Sequence, residues 1–118
     1  MKYMLLIHQG TTPTPRDPEA WASLSEDEQN QVYADYQKLN QTPGVTPGQQ
    51  LADPGSATTV RVQDGNTLVT DGPFVETKEA VGGFDLLECD SFEQAVEIAA
   101  NHPIAEMGAI EVRPLWGN

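Results

Sequence analysis

The chain is poor in several things, and each shortage removes a class of function. Among its 118 residues there is a single cysteine, Cys89, so neither an intramolecular disulfide nor a thiolate metal cluster can form within one chain. Lys and Arg number six against eighteen Asp and Glu, a formal charge of −12. A surface of that sign repels a phosphate backbone and offers no basic patch, which argues against DNA, RNA and anionic membranes as partners. Long apolar runs are missing too: in the opening "MKYMLLIHQG" the run ends at His8 after five residues, too short for a secretory core or a bilayer span. The lone thiol and this opening point to a cytoplasmic protein whose residues 2–8 form a first strand.

What is present is 38% hydrophobic and 20% charged residues, with the apolar ones in periodic segments, as expected of one globular domain over 1–118. In the first strand Tyr3, Leu5 and Ile7 share one face and Met4, Leu6 and His8 the other. Residues 9–21 hold three prolines and read as a long loop with one helical turn, capped by Asp17 with Pro18 at the first position and anchored by Trp21. Ser25 and Glu28 form a capping box, which predicts a helix over 26–40 with Val32, Tyr33, Tyr36 and Leu39 on its apolar face. "TPGVTPG" stops that helix and leaves a loop over 42–54. The β-branched runs 56–63 and 66–70 flank Asp64-Gly65, a hairpin signal, and "AVGGFDLLEC" over 80–89 reads as a further strand.

A second box at Ser91 and Gln94 opens a helix whose stripe is Phe92, Ala95, Val96, Ile98 and Ala99 and which ends at Asn101-His102-Pro103. Residues 108–116 alternate as a last strand. This order matches an α+β chain of the ferredoxin-like βαββαβ kind with a hairpin inserted between its two middle strands. Both helices then cover one sheet face. Because the first strand is apolar on both sides, a second copy of the chain is the simplest cover for the other, predicting a homodimer with sheets face to face.

"TDGPFVETKEAVGG", residues 70–83, breaks the sheet with Gly72-Pro73 and loads the break with charge. One reading is a turn, with Asp71 as an Asx cap. The other is a site, with Asp71, Glu76, Thr77, Lys78 and Glu79 at a cleft and Phe74 as an apolar wall. Paired carboxylates such as Asp71 and Glu79 can push one pKa into the range of a general acid or base, and Lys78 can orient an anionic group. His8, at the end of the first strand, is a candidate proton carrier, and Tyr33 a candidate hydroxyl at the cleft. His102 suits the C-terminal dipole of the second helix as a cation, and Arg61 and Arg113 suit structural ion pairs. The two His residues are too far apart in sequence for a metal motif. Cys89 has no nearby base, and no phosphate loop or dinucleotide fingerprint appears, so no metal and no cofactor is expected.

The stretches "MKYMLLI", "ATTVRVQDG", "VTDGPFVETKEAVGGF" and "IEVRPL" resemble the DGPF-type branch of the YciI-like, or YCII-related, proteins over most of the chain. The resemblance implies a dimeric α+β barrel of two ferredoxin-like protomers with a polar cleft near its mouth. It leaves the biochemical role undefined, although some members of this branch are encoded beside alternative sigma factors. Shorter relatives carry a His on the first helix and an Asp after the second as a proposed catalytic pair. Here the first helix has no His, and Asn101-His102-Pro103 stands where the Asp would be, so that pair does not carry over. Three readings stay open: a small-molecule enzyme using Asp71, Lys78, Glu79 and His8, a regulatory or ligand-binding dimer without chemistry, and a motif that only closes the dimer.

Overall fold

The computed structural model of the chain describes residues 1–10, 12–15, 17–52, 54–73 and 81–117. Its strands are β1 (Lys2–His8), β2 (Val45–Gln50), β3 (Thr58–Gln63), β4 (Asn66–Asp71), β5 (Val81–Glu88) and β6 (Ala109–Pro114). Its helices are α1 (Pro18–Ala22), α2 (Glu26–Asn40) and α3 (Phe92–Ala100). A four-stranded antiparallel sheet runs β2-β5-β1-β6, and β3 and β4 make a separate two-stranded ribbon. This is an α+β fold whose main sheet has the ferredoxin-like strand order, with the expected hairpin inserted between its middle strands β2 and β5.

The helices start where side chains can satisfy their first free N–H groups. Asp17 accepts from Ala20 N ahead of Pro18, and Ser25 and Glu28 exchange both bonds of the box, at 3.1 Å each. α2 begins and ends at the expected residues. At α3 the box is opened by one residue: Ser91 Oγ accepts from Gln94 N, but Gln94 Oε1 accepts from Asp90 N. Ser25→Ala is expected to cost about 1 kcal/mol, seen as a lower urea midpoint with an unchanged slope.

One strand falls in a segment expected to be loop. β2 lies within 42–54 and contains Pro47 and Gly48, residues that normally end a strand. It survives as a strand because it is an edge, bonded only to β5, so the N–H that proline lacks removes no bond to a second neighbour. The register shifts between Pro47 and Gln50. There Gly48 N turns to a side chain, donating to Asp85 Oδ1 at 3.2 Å.

Residues directly opposite one another share a sheet face, so the register sorts the side chains. Tyr3, Leu5 and Ile7 face the helices together with Asp85, Leu87, Ile110 and Val112. Tyr3, Leu5, Leu87, Ala95 and Ala99 are the buried centre of that layer, with Val45 and Ile98 packed at its edge. Burial raises the Tyr3 phenol above its ordinary pKa, with Cys89 and Glu93 adding to the effect. Part of each expected helix stripe lies outside the core: Phe92 and Val96 are exposed on α3, and Tyr33 is exposed on α2. Trp21 and Tyr33 instead pack edge to face, with ring centroids 5.4 Å apart. The opposite sheet face carries Met4, Leu6 and Phe84, each half-buried, and exposed Leu86.

The ribbon turns at Asp64 and Gly65, both with positive φ (51° and 77°), as a tight two-residue hairpin requires. It stands apart from the main sheet. The molecule measures 52 × 41 × 18 Å, and its radius of gyration of 16.4 Å exceeds the roughly 13.5 Å of a compact chain this long.

Candidate functional site

The sequence-predicted site residues that the structure describes do not gather in one place. Asp71 ends β4 on the ribbon, exposed, opposite Thr58. His8 ends β1 on the open face of the main sheet, between Val81 and Ala109 in register. Its Nε2 lies 3.4 Å from Glu111 Oε1, and Glu111 also pairs with Arg113. The hydrogen bond from Arg113 holds the Glu111 carboxyl below its ordinary pKa, with the Arg113 charge and His8 adding to it against partial burial. That contribution is present above the ordinary carboxylate range and is lost as pH falls through the lowered value; solvent at both side chains keeps it small. Tyr33 lies on the exposed side of α2. Phe74, Glu76, Thr77, Lys78 and Glu79 lie outside the described residues.

A different cluster forms on the helix side of the sheet, where sequence reasoning placed no site. Asp85 occupies a core position of β5, opposite Leu5 on β1 and Pro47 on β2. A carboxylate there must be compensated, because taking a bare charge out of water costs several kcal/mol. One oxygen receives the Gly48 N–H. The other, Oδ2, lies 3.7 Å from Nε2 of His102, beyond the length of a good hydrogen bond.

His102, read from the sequence as a cation suited to the end of α3, is buried in the structure. Its side chain is 0% exposed, and the turn after α3 folds over so that Ile104 N donates to Nδ1 at 3.1 Å. An imidazole nitrogen that accepts carries no proton, so the neutral ring is protonated at Nε2, the atom aimed at Asp85. Nε2 is buried and makes no hydrogen bond. Tyr36 of α2 closes the group, its ring set edge-on to the imidazole with centroids 5.6 Å apart.

Asp85 opens onto a cavity of about 190 Å³ between α2, β2 and the start of β5. Ile7, Leu39 and Ile104 supply apolar wall, while Gln9, Asn40 and Gln49 bring amide donors and acceptors beside the Tyr36 side chain. His102 borders instead a larger open groove, about 750 Å³, along the ends of α2 and α3. The carboxylate is thus the group presented to the cavity, and the imidazole stands behind it.

Glycine makes the close approach possible. A Cβ on Gly48 would lie 2.1 Å from Phe84 O and 2.6 Å from its ring, so no other residue lets β2 come near enough for its N–H to reach Asp85. The signals in the sequence were an acid, Asp85, set among the apolar residues of "FDLL" and a His directly before Pro103. Only the strand register and the fold of the 101–108 turn bring them together.

Among the described residues no group of three or more His, Cys, Asp or Glu could hold a metal ion. Cys89 is a buried free thiol whose Sγ donates to Ser91 O at 3.3 Å. No described helix is long and apolar enough to cross a membrane. Residues 1–117 match a family model described as the YCII-related domain. The chain is also 35% identical over 119 residues to an uncharacterised protein of Rhizobium meliloti (strain 1021), an alignment covering 98% of this chain and 92% of that one.

Proposed function

The chain belongs to the YCII-related family, and from that premise we propose that it is a cytoplasmic protein binding a small polar metabolite in the Asp85 cavity. The observation that carries the reading is a carboxylate on the core face of a central strand, backed by a buried imidazole and open to a cavity rich in amide groups. Burying an acid costs the fold stability, and acids kept at that cost cluster at functional sites. At about 190 Å³ the cavity is smaller than the roughly 300–1,000 Å³ of drug-sized sites, so it suits a small metabolite with an N–H or O–H donor for Asp85. If the bound molecule reacts, Asp85 is the group placed to take its proton, with the Gly48 N–H holding its other oxygen and the His102 imidazole behind it.

The working form in this reading is a dimer. Met4, Leu6, Phe84 and Leu86 form an apolar patch on the open sheet face, and a second copy laid face to face covers it, giving a dimeric α+β barrel. The test of the site is a thermal-shift and calorimetry screen with small amines, amides and hydroxy acids at millimolar concentration. Asp85→Asn, which keeps the shape and removes the charge, is expected to weaken any binder at least tenfold. Unchanged affinity in both Asp85→Asn and Tyr36→Phe would remove this cavity as the site.

A further inference from the structure

The β3–β4 ribbon carries an apolar surface that the fold of one chain leaves uncovered. Its cross-strand pairs put Val60, Val62 and Val69 on a single side, and they are 61%, 71% and 65% exposed. A lone two-stranded ribbon is marginal in water and needs packing on at least one side to persist. We infer that this valine face packs onto a second copy of the chain, as an arm that extends the contact between the open sheet faces. The inference rests on the dimer proposed above and adds the ribbon to its interface.

Area and charge both single out a second copy as the occupant. Strands stand about 4.8 Å apart and rise about 3.3 Å per residue, so the open face of the four-stranded sheet offers roughly 400 Å². A standard interface buries about 800 Å² per partner, so the sheet face alone is about half of what a stable dimer uses. The ribbon adds roughly 200 Å² on each of its sides by the same dimensions, and it is already part of the same chain. Charge acts in the same direction. Two copies at −12 each repel, yet residues 58–71 hold only Arg61, Asp64 and Asp71 as charges, so nearly all of the repulsion lies elsewhere. The ribbon is a surface on which these acidic chains can meet.

Sedimentation velocity over a dilution series tests this on the full chain, with Val62→Lys/Val69→Lys for the ribbon and Leu86→Lys for the sheet face. All three positions are exposed, so circular dichroism and the thermal transition are expected to match the parent. The expected result is a dimeric parent whose dissociation constant rises at least 30-fold in the ribbon variant. A ribbon variant that dimerises like the parent overturns the inference, and if Leu86→Lys dissociates at the same time, the face-to-face dimer stands without the arm. Dissociation by the ribbon variant alone supports the arm and removes the sheet-face contact. A monomeric parent overturns both. Amide exchange of the unmutated chain gives an independent reading: Val60, Val62 and Val69 are expected to lose protection on dilution, and protection that does not change with concentration counts against the arm.

Discussion

His102→Ala is expected to lower stability by about 4 kcal/mol, which for a chain of this length is a fall in melting temperature of roughly 15 °C. Three losses combine. The ring is fully buried, so its removal leaves a cavity under α2 and takes the edge-on contact from Tyr36. The Ile104 N–H loses its acceptor in the turn after α3, and an unsatisfied buried donor costs about 1–3 kcal/mol by itself. Asp85 loses the imidazole that lies 3.7 Å from its Oδ2, on a core face where the Gly48 N–H is its hydrogen-bond donor. His102→Asn, with an acceptor and a donor on one short side chain, is expected to recover part of the loss. Calorimetry of both variants is the check, and a fall below about 1 kcal/mol in the alanine variant would show that the imidazole does not support Asp85.

Gly44→Ala is expected to be as damaging, at about 3 kcal/mol or more, although no side chain is lost. Gly44 has φ +89° at the turn between α2 and β2, and a Cβ there would sit 2.0 Å from Glu88 O. That oxygen belongs to the backbone of a central strand and cannot swing away. The same approach gives the bond from Glu88 N to Gly44 O at 2.8 Å, which fastens the start of the edge strand. Gly65→Ala is the internal control: its φ is +77° with nothing within 4 Å, so it meets only the left-handed backbone cost of about 1–2 kcal/mol. Urea unfolding of the pair separates steric closure from backbone preference. Equal losses in the two variants would mean that β2 can move off β5.

The same turn shows where sequence was a good guide and where it was not. α2 was legible to the residue because its limits are local chemistry: a hydroxyl, a carboxylate three positions on, and a Pro-Gly stop. The ribbon was legible because Asp64-Gly65 can adopt the positive φ angles that such a turn demands. β2 was not, since Pro47 and Gly48 end strands in general and are tolerated here only because the strand lies at an edge, a fact of sheet order. The site failed for a related reason. Asp85 drew no notice in the sequence and His102 read only as a cation at a helix end, and their pairing depends on which face of β5 is inward and how the 101–108 turn folds. The charged word after Gly72-Pro73 drew attention by composition, yet Phe74 to Glu79 lie outside the described residues, and its described neighbour Asp71 belongs to the ribbon. Gly82 and Gly83, just beyond that word, do line the Asp85 cavity.

Strand order also governs when this protein can become itself. β1 lies between β5 and β6, so among the described residues a strand made early in this sequence pairs with two made late. Until residues 81–114 have emerged, Tyr3, Leu5 and Ile7 have no described sheet partner, and among the described residues the β3–β4 ribbon is the antiparallel pairing that can close locally on the nascent chain. Contacts so distant in sequence make folding slow and leave an apolar strand waiting. The net charge of −12 then acts as mutual repulsion between half-made chains during that wait.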